Sequence, residues 1–169
     1  MGFRTRVVSF PALLSAFIDG DDNAQARLAD AYQPLLLRYL RALGVRQPRQ
    51  VAAGVWRDAL AWLNSCRGAS EHDFVVRLFQ LAHQRARIVP DIDLAREPIG
   101  ADELSVALGH LRRLPMPARE VMALQTVVGF EADDVAAITK LDLTAIEGAV
   151  QGALVQLSDA LQEAATILY

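Results

Sequence analysis

Apolar residues recur along almost the whole chain with the period of an α-helix, and the alternation typical of β-strands is nearly absent. The clearest stripe is formed by Leu28, Tyr32, Leu35, Leu36, Tyr39, Leu40 and Leu43. Residues spaced by three or four positions lie on one face of a helix, which buries that face against its neighbours. The sequence therefore predicts an all-α fold.

Prolines and glycines divide the helical pattern into segments. We expect helices over about 22–43, 48–63, 71–89, 103–113, 116–128, 131–139 and 142–165. Residues 90–102 contain two prolines and one glycine and show no regular period, so they are predicted to be a linker. The predicted organisation is an N-terminal extension at 1–21, a helical domain at 22–89, the linker, and a second helical domain at 103–169.

Charge is distributed unevenly between the two predicted domains. Residues 1–89 contain twelve arginines and seven acidic residues, a net charge of +5, whereas residues 90–169 contain five cations and thirteen acidic residues, a net charge of −8. Beyond Glu120 the only cation is Lys140. This asymmetry indicates that the two domains have different surroundings.

The residues needed for common catalytic and metal sites are missing from the sequence. There is one cysteine, Cys66, and the three histidines are not spaced as metal ligands. No phosphate-binding glycine loop or nucleophile elbow occurs. We therefore expect no enzyme activity, no metal and no cofactor. A run of about eighteen apolar residues, the minimum for a membrane span, is also lacking. The cysteine count fits a reducing compartment, so we expect a cytoplasmic protein without a membrane contact.

The second domain contains a spacing that suits a helix-turn-helix, in which two short helices meet at Lys140-Leu141-Asp142. Its surrounding pattern consists of Leu114-Pro115, Arg119-Glu120-Val121, Gly129-Phe130, Val135-Ala136, Ile138, Ile146, Ala153-Leu154 and Leu157. In the first domain the corresponding pattern consists of Arg27-Leu28, Tyr32, Pro34-Leu35, Val55-Trp56, Ala59-Leu60, Cys66-Arg67-Gly68, Phe74, Leu78-Phe79 and Leu81-Ala82. Taken in order, these patterns resemble region 4 and region 2 of extracytoplasmic-function (ECF) sigma factors of the sigma-70 family.

The resemblance implies a region 2-like three-helix bundle joined by a linker to a region 4-like helix-turn-helix domain. It also implies a role in bacterial transcription initiation. Such factors bind core RNA polymerase and direct it to promoters, where region 2 reads and melts the −10 element and region 4 reads the −35 element. Anti-sigma proteins commonly sequester them. The expected partner is therefore core RNA polymerase, an anti-sigma factor or another regulator.

The sequence departs from the family in the second helix of the helix-turn-helix. The family's usual lysine falls on Glu147 and its usual arginine on Ala149, and no Lys or Arg occurs from 141 to 169. The candidate groove-facing residues are Thr144, Ala145, Glu147, Gly148, Gln151, Gly152 and Val155. Because DNA binding depends on cations that neutralise phosphates, we expect duplex binding by residues 142–156 to be weakened or lost. The alternative is an ordinary core helix with a neutral outer face, which also predicts no DNA contact.

A second departure concerns the helix that docks on polymerase in the family. An acidic stretch usually opens that helix, but residues 47–54 contain no carboxylate and include an arginine. The candidate docking residues, for polymerase or another partner, are Arg49, Gln50, Ala53, Trp56 and Arg57. Complementary charge guides such encounters, so ordinary polymerase docking is in question. A divergent but working docking helix is the alternative.

The third helix combines basic and aromatic residues, a combination that can hold single-stranded DNA by charge and stacking. The candidates are Arg77, Phe79, His83, Arg85 and Arg87. The alternative is a solvated helix face.

Three functions remain open on the sequence alone. The first is a sigma-factor-like regulator that acts mainly through protein contacts, with promoter recognition weakened or lost. The second is an active ECF-type sigma factor. The third is a helical interaction or oligomerisation module, with a homodimer formed through the outer face of the last helix near Val155.

Overall fold

The structure is a computed structural model that describes residues 9–86 and 109–167, with side chains described as far as residue 159. Within these ranges all regular elements are helices, so the all-α prediction is confirmed. The first half contains α1 (Phe10–Ile18), α2 (Asp22–Ala42), α3 (Pro48–Ser65) and α4 (Glu71–Ala86). In the second half, residues 109–113 are helical and are followed by α5 (Ala118–Met122), a π-helical continuation of α5 (Ala123–Val128), α6 (Ala132–Thr139) and α7 (Leu143–Ile167).

Most predicted helices agree with these bounds to within a few residues, because prolines and glycines fix their ends. Pro48 occupies the first turn of α3, where its missing N–H costs nothing. Gly129 ends the π-helical segment in the left-handed conformation, with φ of 90°. The predicted linker at 90–102 lies outside the described residues, and the domain boundaries stay predictions.

The sequence interpretation gave no helix to the N-terminal extension, yet α1 lies within it. Pro11 stands in the first turn of α1, which tolerates proline, and does not interrupt the helix. Phe10, Leu13 and Leu14 are buried. The Phe10 ring lies 5.6 Å from that of Phe74, centroid to centroid. The segment therefore belongs to the packed core.

Phe74 of α4 is the centre of the first half. It is fully buried, and the rings of Tyr32 on α2 and Trp56 on α3 lie 5.4 and 6.1 Å from it. Ser70 and Asp73 form a capping box at the start of α4, because the Ser70 hydroxyl accepts from the Asp73 N–H at 3.1 Å and the Asp73 carboxylate accepts from the Ser70 N–H at 3.1 Å. The start of α4 is thus fixed while its apolar face is buried.

The helix-turn-helix predicted from the sequence is formed by α6, the turn at 140–142 and α7. Lys140 adopts the left-handed conformation that ends α6, with φ of 64°. The Asp142 carboxylate accepts a hydrogen bond from the Ala145 N–H at 2.7 Å and so caps α7, as expected. Ile146 and Ala153 are buried, and α7 packs on α5 and α6.

The two halves pack against each other through helices from both sides. α4 contacts α6, and α2 contacts the π-helical segment. Guanidinium groups of the second half also satisfy carbonyls at the end of α2. Arg112 Nε donates to the Arg41 carbonyl at 2.8 Å, and Arg119 Nη1 donates to the Leu43 carbonyl at 3.2 Å. The last carbonyls of a helix lack partners within it, so these bonds join the second half to the first.

Candidate functional site

The outer face of α7 is exposed, as the sequence interpretation requires. All seven groove-facing candidates are exposed, namely Thr144, Ala145, Glu147, Gly148, Gln151, Gly152 and Val155. Asp142 and Glu147 are the charged side chains on this surface between 142 and 156. Leu143, Leu154 and Val155 expose 47%, 49% and 60% of their area. The face is therefore neutral to negative in charge and partly apolar.

The candidate docking helix α3 presents four of its five candidates together. Arg49, Gln50, Ala53 and Arg57 are exposed and recur at helical spacing on one side. Trp56 differs, because it is buried and its indole N–H donates to the side-chain oxygen of Gln33. Trp56 therefore fixes α3 against α2, and a partner that approaches the exposed side of α3 does not meet its ring.

The aromatic part of the single-stranded DNA candidate on α4 is covered by the second half. Phe79 is fully buried, with its ring edge-on to Tyr39 at 5.3 Å and to Phe130 at 5.4 Å. His83 is 5% exposed. In this arrangement neither side chain can stack on a base. A single-stranded DNA contact stays a prediction that requires the two halves to separate.

His83 is held between the halves by a buried carboxylate. Its Nδ1 lies 2.9 Å from Oε1 of Glu120 on α5, and the Glu120 side chain is fully buried. The separation is within ion-pair distance, and the contact is an ion pair when the His83 ring is protonated. Both side chains are buried, so water screens their interaction less than it would at the surface.

The arginines of α4 also have partners within the chain. Arg85 Nη2 and Nε donate to Oδ2 of Asp58 on α3 at 2.6 and 3.0 Å. Its guanidinium crosses α3 at Gly54, where an added Cβ would lie 2.8 Å from Nη1. Arg77 Nη1 donates to Gln80 Oε1 at 3.3 Å, and Gln80 Nε2 donates to the Ala137 carbonyl on α6 at 3.2 Å. Arg87 lies outside the described residues.

An open groove of about 530 Å³ runs along the junction of α3, α4 and α6. It is lined by Trp62, Cys66, Ala69, His72, Asp73, Val76, Arg77, Gln80, Asp134 and Ala137. His72 Nε2 lies 3.0 Å from the Asp134 carboxylate across this junction. Within residues 9–86 and 109–159, no three His, Cys, Asp or Glu side chains are arranged to hold a metal ion.

Two acidic groups near the start of α4 have defined hydrogen-bonding roles. The Ser70 hydroxyl and backbone N–H donate to Asp73 and, with the nearby His72, hold the pKa of that carboxyl below its usual range. Tyr32 donates its hydroxyl proton to Glu71 at 2.6 Å. Burial raises the pKa of the Tyr32 hydroxyl, and the hydrogen bond and the negative charge of Glu71 raise it further. Both interactions hold helices in place, and neither indicates a catalytic group.

Sequence reasoning did not identify the residues that join the halves. Glu120, Phe130, Asp134 and Gln80 lie far in sequence from the residues that they contact across the interface. The surroundings of Glu120 in the sequence could have indicated its role. Ala118, Val121 and Met122 flank it and predict a buried surface, where a carboxylate needs a partner.

No protein-family model matches the sequence, and no curated protein matches it. The chain is similar to a solved structure, that of CnrH in complex with the cytosolic domain of CnrY. The TM-score is 0.65 and the sequence identity is 22%. The match covers 90% of this chain and 97% of that chain. CnrH is an ECF sigma factor with two helical domains. The chain therefore shares the all-α fold of CnrH, and the likeness extends over both halves. None of the described helices combines the length and apolar composition needed to cross a bilayer.

Proposed function

We propose that this protein is a sigma-factor-like regulator of transcription that acts mainly through protein contacts, with recognition of promoter duplex weakened or lost. One observation carries the proposal. The exposed face of α7, which the sequence resemblance aligns with the recognition helix of region 4, has no cation and carries Glu147. The sequence has no Lys or Arg from 141 to 169 that could supply one.

The physical reason is the charge of the duplex. Proteins gain most of their non-specific DNA affinity by releasing counterions from phosphates that Lys and Arg neutralise, and much of their specific affinity has the same origin. Carboxylates at 142 and 147 repel those phosphates. The apolar residues that anchor α7 are retained, so the helix-turn-helix folds without the charge that DNA binding needs.

A protein partner is supported by two observations. CnrH, which shares the fold, was solved in complex with the cytosolic domain of CnrY. In this chain, exposed apolar area at Leu143, Leu154 and Val155 lies on the same helix as the missing cations. Leu154 and Val155 are adjacent, and contiguous exposed apolar area commonly marks contacts between proteins.

The test is fluorescence anisotropy with the full chain and labelled promoter-like duplexes over a series of salt concentrations. We expect no saturable binding by the wild type at physiological salt. The variant E147K/Q151K, altered at two exposed positions of α7, should gain affinity, and its log K should fall with log salt more steeply by about two.

A matched control adds the same charge to the first half, in the variant Q25K/D30K, whose positions are exposed on α2. It should gain much less affinity than the α7 variant, because charge away from the helix-turn-helix has no groove to enter. Nanomolar binding of duplex by the wild type would refute the proposal.

An active ECF-type sigma factor is the second candidate, and the likeness to CnrH over 90% of the chain favours it. Tethering to polymerase could then supply the local concentration that weak promoter contacts need. A pull-down from the native cell and transcription in vitro distinguish the two candidate functions. Recovery of core polymerase with promoter-dependent transcripts would favour this candidate, and recovery of another protein without polymerase would favour the first.

A further inference from the structure

Four exposed arginines lie at the corner of the fold where α2 ends and α3 begins, and we call them the arginine corner. They are Arg38, Arg41, Arg46 and Arg49. From 31 to 57 the sequence contains five arginines and no Asp or Glu.

None of these four side chains makes an ion pair or a hydrogen bond with the part of the chain that the structure describes. Arg85, by contrast, is neutralised by Asp58. Several like charges without neighbouring carboxylates produce a positive surface in a protein whose net charge is −3.

Folding does not account for the arginine at position 49. Arg49 lies in the first turn of α3, which has no acidic residue and no side-chain cap. The N-terminus of a helix is the positive end of its dipole, so a cation there is unfavourable. Arg49 therefore opposes the stability of its own helix, and an anionic partner would remove that conflict.

We propose that the arginine corner binds an acidic segment of a partner protein. This inference rests on the proposed function, since it names the chemistry of the protein partner. The guanidinium group fits a carboxylate with two parallel hydrogen bonds, which a lysine cannot do. All the cations of the corner are arginines.

Nucleic acid is a poorer match for the same surface. Binding of single strands relies on exposed aromatic rings, whereas the aromatic residues near the corner, Tyr39 and Trp56, are buried. A long polyphosphate would also extend from the corner toward the second half, where residues 109–169 contain four cations and eight acidic residues, a net charge of −4. A short acidic segment meets only the corner.

The experiment measures anisotropy of a short fluorescein-labelled peptide of alternating Glu and Ala with the full chain at low salt. Its matched probes are the Gln–Ala peptide and an oligothymidylate of equal charge. The test variant is R46E/R49E, and the control variant is R27E/R67E, which reverses two exposed arginines away from the corner.

We expect the wild type to bind the Glu–Ala peptide and not the Gln–Ala peptide. R46E/R49E should weaken binding about tenfold or more, since two surface attractions become repulsions, while R27E/R67E should change it less than about threefold. Thermal melting should show R46E/R49E to be at least as stable as the wild type, because a glutamate at 49 suits the helix dipole.

Three results would overturn the inference: no peptide binding by the wild type, equal weakening by the two variants, or tighter corner-dependent binding of oligothymidylate than of peptide. Sedimentation of the wild type and R46E/R49E can give a fourth such result. If the wild type self-associates, R46E/R49E does not, and no peptide binds, the surface contacts a second copy of the chain. Each of these leaves the proposed function intact, because that proposal is tested separately by duplex binding, pull-down and transcription.

Discussion

The contact between the halves can be tested at its most buried point by the substitution Glu120→Gln. The glutamine keeps the size of the side chain and replaces the carboxyl group that faces His83 at 2.9 Å by an amide. The Glu120 side chain is fully buried and that of His83 is 7% exposed. Loss of one partner of a buried polar contact costs about 3 kcal/mol, at the upper end of the usual range because both side chains are buried. The midpoint of thermal unfolding should then fall by roughly 6–12 °C for a chain of this size.

The assay is urea unfolding followed by circular dichroism, with a double-mutant cycle that adds His83→Gln. Atoms in direct contact should give a coupling energy of about 1–3 kcal/mol. Glu131→Gln makes the same chemical change at an exposed position and should alter stability by less than about 0.5 kcal/mol. If Glu120→Gln unfolds like the wild type, or if the coupling is absent, the two halves are not joined through this pair.

Local features of the helices give two further predictions. Ser70→Ala should cost about 1 kcal/mol in urea unfolding because α4 loses its cap. The pKa of Asp73 is lowered in the folded state, so the stability that its carboxylate adds is present above the unfolded pKa of about 3.9 and is lost as pH falls through the lower folded pKa. The stabilities of the wild type and Asp73→Asn should therefore converge in acid. Gly129→Ala should destabilise the protein by about 1 kcal/mol because φ is 90° at this position. Gly148→Ala and Gly152→Ala should each stabilise it by about 0.5–1 kcal/mol in the same assay, because both positions lie within α7 and have open space around them.

The helices were predictable because their ends depend on local chemistry. Proline in a first turn, glycine after a last turn and Asp142 as a cap act within a few residues of the boundaries that they set. The helix-turn-helix was predictable for the same reason, since three residues join α6 to α7. α1 was not predicted, although Pro11 stands in a first turn, where proline is well tolerated.

The surfaces were less predictable, because burial depends on contacts between residues distant in sequence. Phe79 and His83 have the composition of a nucleic-acid contact, but the contacts of Phe130 and Glu120 with them cannot be inferred from local spacing. Trp56 was assigned to a docking face from its position in a motif, whereas its hydrogen bond to Gln33 places it in the core. Exposure of α7 was easier to predict, because its polar face follows directly from helical periodicity.

The charges at two places differ in a consistent way from those of the sigma factors that the chain resembles. At the start of α3 those proteins carry carboxylates for a partner, and this chain carries Arg49 where the helix dipole disfavours it. On the outer face of α7 they carry cations for phosphates, and this chain carries Glu147. A partner suited to an ordinary sigma factor would therefore meet like charge at either surface, at a cost in both encounter rate and affinity. Since both positions differ in sign from the charges that the sequence resemblance implies, we predict that the partners of this chain differ in charge from those of ordinary sigma factors. The prediction is an acidic protein surface at the start of α3 and no duplex DNA on the outer face of α7.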